Sequence, residues 1–161
     1  LAALGTFIFT IVVPGTWTVV ISHLVLASDF KVATVQIGPL RFAGLGPIVV
    51  GMVIYLWCAW DFTFAGRGTP APIAPPKDLV VKGLYRYVRN PMYVGIVLIL
   101  LGEAVLFESV ELLLYALLTF SIFHTWVRIH EEPTLRSKFP DSYPRYCDTV
   151  PRWIPKVGRT N

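Results

Sequence analysis

The chain has 161 residues, 55% of them hydrophobic and 15% charged, with a mean hydropathy of +0.62. Soluble domains ordinarily carry about 25% charged residues, so the composition excludes that class and points to an all-α integral membrane protein. The net charge of +4 does not imply a nucleic-acid partner. The basic residues flank apolar runs, where they set topology and attract anionic lipid, and no nucleic-acid motif accompanies them.

Four apolar runs predict transmembrane helices over residues 2–26, 42–64, 91–107 and 109–128. A hydrocarbon core about 30 Å thick takes roughly 20 residues of helix. The first run lacks a basic n-region and is too long for a signal h-region, so it is expected to be a span. The third is short, on the order of 25 Å, and meets the fourth in a tight turn around Phe107–Ser109. Tilt or local bilayer thinning accommodates such a hairpin.

No Lys or Arg falls in residues 1–30 or 90–127, whereas loop 65–89 holds five and the chain from Arg128 onward holds seven. By the positive-inside rule this loop, the tail and both termini are expected in the cytoplasm. Residues 1–64 then form an N-terminal helix pair. Residues 65–161 form a second unit, made of loop 65–90, hairpin 91–128 and tail 129–161.

Gly66-Arg-Gly-Thr-Pro-Ala-Pro-Ile-Ala-Pro-Pro76 excludes a regular helix and favours extended backbone. It reads either as a stiff linker or as a loop over a bound cofactor, with Thr69 offering a hydroxyl. Asn90-Pro91 predicts a helix start, with Asn90 as the N-cap. The free N–H groups there suit an anion. Gly95 and Gly102, seven apart, share a helix face and permit close helix approach.

Several polar residues admit two readings. Glu131 and Glu132 are expected where the fourth helix ends before Pro133. They form either a solvated acidic pair or, since acids oppose the macrodipole there, one half of a pairing with a cation. Glu103 reads as a structural hydrogen-bonding group, and His124 as a packing histidine or a base. His124 and His130, six apart, face different sides, which argues against haem. Cys58 and Cys147 have no apparent disulfide or metal partner. The aromatic, proline-punctuated tail (Tyr143, Tyr146, Val150-Pro151, Trp153, Pro155) reads as an interfacial anchor or as a cover over a site.

Two ordered clusters stand at the cytoplasmic ends of the hairpin. The first runs from Lys82 to Gly95 and contains Arg89-Asn90-Pro91-Met92-Tyr93-Val94-Gly95. The second holds Glu131-Glu132-Pro133-Thr134-Leu135, Phe139, Tyr143, Tyr146 and Val150-Pro151-Arg152. Together they resemble the isoprenylcysteine carboxyl methyltransferase-like family of integral membrane methyltransferases over about residues 77–155. The resemblance implies an S-adenosyl-L-methionine-dependent methyltransferase with a cytoplasmic cofactor-binding loop and tail, and the expected location is a prokaryotic inner membrane. It implies cofactor contacts at Lys77, Asp78, Leu79, Val80, Tyr85, Asn90, Pro91, Met92, Tyr93, Glu131 and Glu132. The first glutamate would meet the cofactor ammonium. No metal or nucleic acid is implied, and a lipophilic acceptor would enter from the bilayer.

The chain departs from the eukaryotic pattern in three places. Asn90 and Lys77 stand for His, and Val127 stands for a substrate-contacting Arg, with Arg128 one step later. Arg128 and His124 are the catalytic candidates. Two other functions stay open. A sterol-reductase-type NADPH enzyme shares a late Tyr146-Cys147 and Val150-Pro151, although Ile96 stands where that class has Asp. The other is a non-catalytic membrane scaffold.

Overall fold

The computed structural model describes residues 12, 14–33, 35–61, 79 and 81–155, together with the backbone of 62–65. A wide π-helical turn, Thr16–Ile21, runs into helix α1 (Ser22–Ala27). A 3-10 segment, Gly38–Gly44, leads into α2 (Leu45–Ala65). Helices α3 (Pro91–Leu106) and α4 (Val110–Trp126) form the hairpin. A second π turn, Val127–Glu131, carries α4 on into α5 (Glu132–Lys138), and α6 (Ser142–Thr149) follows.

Two of the four expected spans are long and apolar enough to cross a membrane by themselves, Gly38–Asp61 and Val110–Lys138. Thr16–Ala27 and Pro91–Leu106 are shorter apolar helices. Only 28% and 33% of the most apolar windows of the two long helices are buried within the protein, unlike the core helix of a soluble domain. Leu56 on α2 and Leu117 and Leu118 on α4 are all more than half exposed. Apolar side chains facing outward along helices of spanning length give an all-α integral membrane topology.

Glycine packing sets α2 against α3. A Cβ at Gly95 would lie 2.8 Å from the Gly51 carbonyl oxygen, and one at Gly102 would lie 2.5 Å from that of Gly44. The order of these pairs makes the two helices antiparallel, and side chains at those positions would hold them apart. Tyr55, Ala59, Ile96, Leu100, Ala116 and Phe123 form the main core between α2, α3 and α4.

The hairpin turn falls at the expected place. Glu108 takes a positive φ of 54°, and Ser109 caps α4 by accepting the Leu112 amide at 3.2 Å. Acidic groups there tie the 28–41 connection to the turn. Glu108 accepts from the Ile37 and Gly38 amides at 2.8 and 2.9 Å. Glu103 accepts from the Ser22 hydroxyl at 2.6 Å, the structural role expected of it.

Two local expectations change. Asn90 occupies the N-cap position of α3 but makes no side-chain cap. Its amide instead donates to the Arg152 carbonyl at 3.2 Å, a tertiary bond in place of the local one. The helix also does not end before Pro133, because the π turn absorbs the imino residue, which then sits in the first turn of α5. Glu131 and Glu132 are therefore not at a helix C-terminus, and the macrodipole argument for their pairing falls away.

Candidate functional site

At the end of the molecule opposite the hairpin turn, four segments meet: the 82–90 connection, the start of α3, the π turn into α5, and residues 143–153. Pro91 opens α3 with its fixed φ, which sets Tyr93 in the first turn of the helix. The Tyr93 hydroxyl donates to the Glu131 carboxylate, and its ring lies 4.6 Å from that of Phe123. The Trp126 side chain also lies beside Glu131. Among the described residues no Lys or Arg forms a salt bridge with Glu131.

Glu132, its neighbour, is fully engaged. Arg152 grips it through both carboxylate oxygens, Nε at 2.6 Å and Nη2 at 2.9 Å. Arg89 Nη1 lies 3.2 Å from Oε1 and also donates to the Cys147 thiol at 2.7 Å. The bond to Glu132 raises the pKa of Arg152 further. Bidentate arginine–carboxylate pairing is both strong and geometrically specific.

The other expected site residues fall as follows. Asn90, Pro91, Tyr93, Glu131 and Glu132 come together at this end. Met92 packs against the main core. Leu79 packs on the cluster of Tyr143, Tyr146 and Val150. Tyr85 lies beneath them, and its phenol is pushed well up in pKa by burial and then by Cys58 beside it. Lys77, Asp78 and Val80, with Thr69 and the proline-rich stretch, lie outside the described residues.

His124 is half-buried, and its Nδ1 accepts the Trp153 indole N–H at 3.0 Å. An indole can only donate, so Nδ1 is unprotonated and the ring proton sits on Nε2. Val127 is 1% exposed, while Arg128, one residue on, is exposed. The π turn does not swing the guanidinium inward. Arg89 and Arg152 stand in the two sequence clusters without an expected contact, and Trp153 is expected only as part of an anchoring or covering tail. Arg152 directly follows the Val150-Pro151 pair, but nothing local says which acid it meets.

The tail is tied down by buried polar contacts. The Tyr146 hydroxyl donates to the Tyr85 carbonyl at 2.6 Å, and the Arg89 amide donates to the Pro151 carbonyl at 2.9 Å. Burial, then Tyr143, raises the Tyr146 phenol. Burial, then Cys147, pushes Tyr143 up to about 12. Both stay neutral donors throughout the physiological range. Tyr146→Phe removes the donor to a buried carbonyl and is expected to destabilise the protein by about 1–3 kcal/mol, read as a lower thermal midpoint. An unchanged midpoint would show that this bond contributes nothing net.

The phospholipid methyltransferase family matches residues 40–142. That is more than half of the chain, and the chain belongs to this family. Over 80 residues it is 40% identical to the protein-S-isoprenylcysteine O-methyltransferase of Schizosaccharomyces pombe, covering 49% of this chain and 34% of that protein. It is 26% identical over 149 residues to the nickel-cobalt-cadmium resistance protein NccN of Alcaligenes xylosoxydans xylosoxydans, covering 89% and 65%. It is 27% identical over 148 residues to the cobalt-zinc-cadmium resistance protein CzcN of Cupriavidus metallidurans, covering 89% and 64%. The chain thus spans between about a third and just under two thirds of these curated relatives. No solved structure matches.

Proposed function

We propose that this protein is an S-adenosylmethionine-dependent methyltransferase acting in the membrane on a lipophilic acceptor, in the manner of isoprenylcysteine carboxylate O-methyltransferases. The observation that carries this reading is the Tyr93–Glu131 pair beside the start of α3. Glu131 has no Lys or Arg partner among the described residues and is joined through the Tyr93 hydroxyl to the first turn of α3, a helix N-terminus whose amides suit an anion. A carboxylate seeking a cation beside amides seeking an anion fits the amino-acid end of S-adenosylmethionine. When bound, that cofactor supplies an activated methyl group. Glu131 holds the ammonium, Tyr93 fixes the carboxylate's orientation, and the α3 amides meet the cofactor's carboxylate. The Tyr143–Tyr146 cluster and Trp153 keep bulk water off the site. Glu132 is assigned to support rather than contact. Asn90 contributes through its backbone, because its side chain is taken by Arg152.

The same reading makes residues 65–161 the methyltransferase core and 1–64 an N-terminal pair of transmembrane helices. It has four helices crossing the membrane, Thr16–Ala27 and Pro91–Leu106 crossing as shorter or tilted spans. The membrane is the inner membrane of a prokaryote, and both termini and the site lie in the cytoplasm, the side that the Lys and Arg distribution favours. A tag after Asn161 should resist labelling from outside intact cells, and its modification there would reverse the topology.

The acceptor is tested through Val127 and Arg128. Val127 itself offers an acceptor carboxylate no cation, and an unpaired buried charge costs several kcal/mol. A farnesylated cysteine analogue is therefore expected to turn over slowly compared with neutral or amine lipids. Arg128→Ala should leave that slow rate unchanged, since the side chain faces outward. Brisk turnover lost in Arg128→Ala would assign the carboxylate contact to Arg128 and contradict this specificity.

A further inference from the structure

We infer that residues 151–153 form a clasp that positions Glu131, with Arg152 as its positioning residue. Three consecutive residues reach three separate elements. The Pro151 carbonyl accepts from the Arg89 amide at 2.9 Å, and the Arg152 carbonyl accepts from the Asn90 amide group at 3.2 Å. The Arg152 guanidinium holds Glu132 at 2.6 and 2.9 Å, and the Trp153 indole donates to His124 at 3.0 Å. The first two bonds fix the residues just before α3, which carries Tyr93. The third fixes the first residue of α5, directly after Glu131. The fourth seats the segment on α4, seven residues before Glu131.

The geometry makes adjacent acids divide the work. The π turn shifts the backbone from the i→i+4 to the i→i+5 register over Val127–Glu131, so Glu131 does not take the direction that an uninterrupted α-helix would give it. Glu132 sits in the next position and is only 12% exposed at its side chain, as is Arg89 at 11%. Two guanidiniums pin Glu132 from the side of the 89–90 segment and the tail. Pinning it sets the rotation of the helix at Glu131 and brings that carboxylate to the Tyr93 hydroxyl. Arg152 touches neither Glu131 nor Tyr93 in any of these bonds, and acts through Glu132, Asn90 and Arg89. His124, in this arrangement, is the seat for Trp153.

This inference rests on the methyltransferase reading for its cofactor half and on geometry alone for the clasp. The test uses full-length protein in nanodiscs, comparing wild type, Arg152→Gln and Arg152→Lys. Arg152→Gln is expected to raise the Kd and KM for S-adenosylmethionine about tenfold or more, the scale of coupling within one charged network, with kcat nearly retained. Arg152→Lys keeps the charge but not the bidentate fork and should recover part of that loss. Amide exchange at Arg89 should quicken in Arg152→Gln, a readout that needs no cofactor.

A fall in kcat with unchanged KM would mean fewer folded molecules, a merely structural role, and would overturn the positioning claim. Unchanged KM together with unchanged exchange at Arg89 would overturn the clasp itself. Wild type that binds no S-adenosylmethionine would sink the methyltransferase reading and the cofactor half with it, leaving exchange at Arg89 to decide the clasp.

Discussion

Glu131→Gln is expected to weaken S-adenosylmethionine binding by about 10- to 100-fold while leaving the fold intact. A hydrogen bond to a charged group contributes about 1.5–3 kcal/mol, and the substitution removes the charge without changing the side chain's size. Gln can still accept from the Tyr93 hydroxyl, which bonds Glu131 in the native protein, so the packing of α3 on the π turn should survive. Calorimetric titration of the purified variant gives the affinity, and its thermal midpoint reports the fold. Unchanged affinity at an unchanged midpoint would remove Glu131 from the cofactor site. A fall in both together would show a structural role instead.

Gly95→Ala is expected to lower stability by about 1–3 kcal/mol, the usual range for forcing a methyl group into a close-packed contact. The added carbon would lie 2.8 Å from the Gly51 carbonyl oxygen, 3.2 Å from the Tyr55 amide nitrogen and 3.3 Å from Ile54 Cγ2. Two of these neighbours are backbone, so relief requires α2 and α3 to separate rather than a side chain to swing away. Gly46→Ala is the matched control on α2, since nothing lies within 4 Å of a Cβ there. Equal thermal midpoints for the two variants would show that the glycine contact does not hold these helices together.

Features that depend on local pattern are legible in the sequence. The turn at Phe107–Ser109 announces itself as a polar interruption between two apolar runs. The one-sided Lys and Arg distribution puts both motif clusters at one end of the hairpin, where the structure gathers Tyr93 and Glu131. Gly95 and Gly102 mark a packing face by their spacing alone.

Features that depend on partners distant in the chain are not. Gly44 and Gly51 answer Gly102 and Gly95, but two glycines on one helix do not say which helix they meet. Asn90 has the residue type of an N-cap, yet a carbonyl 62 residues away wins its side chain. Pro133 signals a helix end in any local reading, and only the π turn before it lets α4 run on into α5. The division between Glu131 and Glu132 is illegible for the same reason. The two acids are chemically alike and adjacent, and what separates them is the pair of arginines at positions 89 and 152.

Methyl transfer to a lipophilic acceptor is read from the passage of a radiolabelled methyl group out of S-adenosylmethionine. Purified protein in nanodiscs would be incubated with labelled cofactor and fractionated membrane lipid extracts. The expected result is label in an organic-extractable product with wild type and much less of it with Glu131→Gln at subsaturating cofactor. Absence of labelled product from every extract, with wild type shown to be folded by its thermal midpoint, would mean that the protein is not a methyltransferase of lipophilic acceptors.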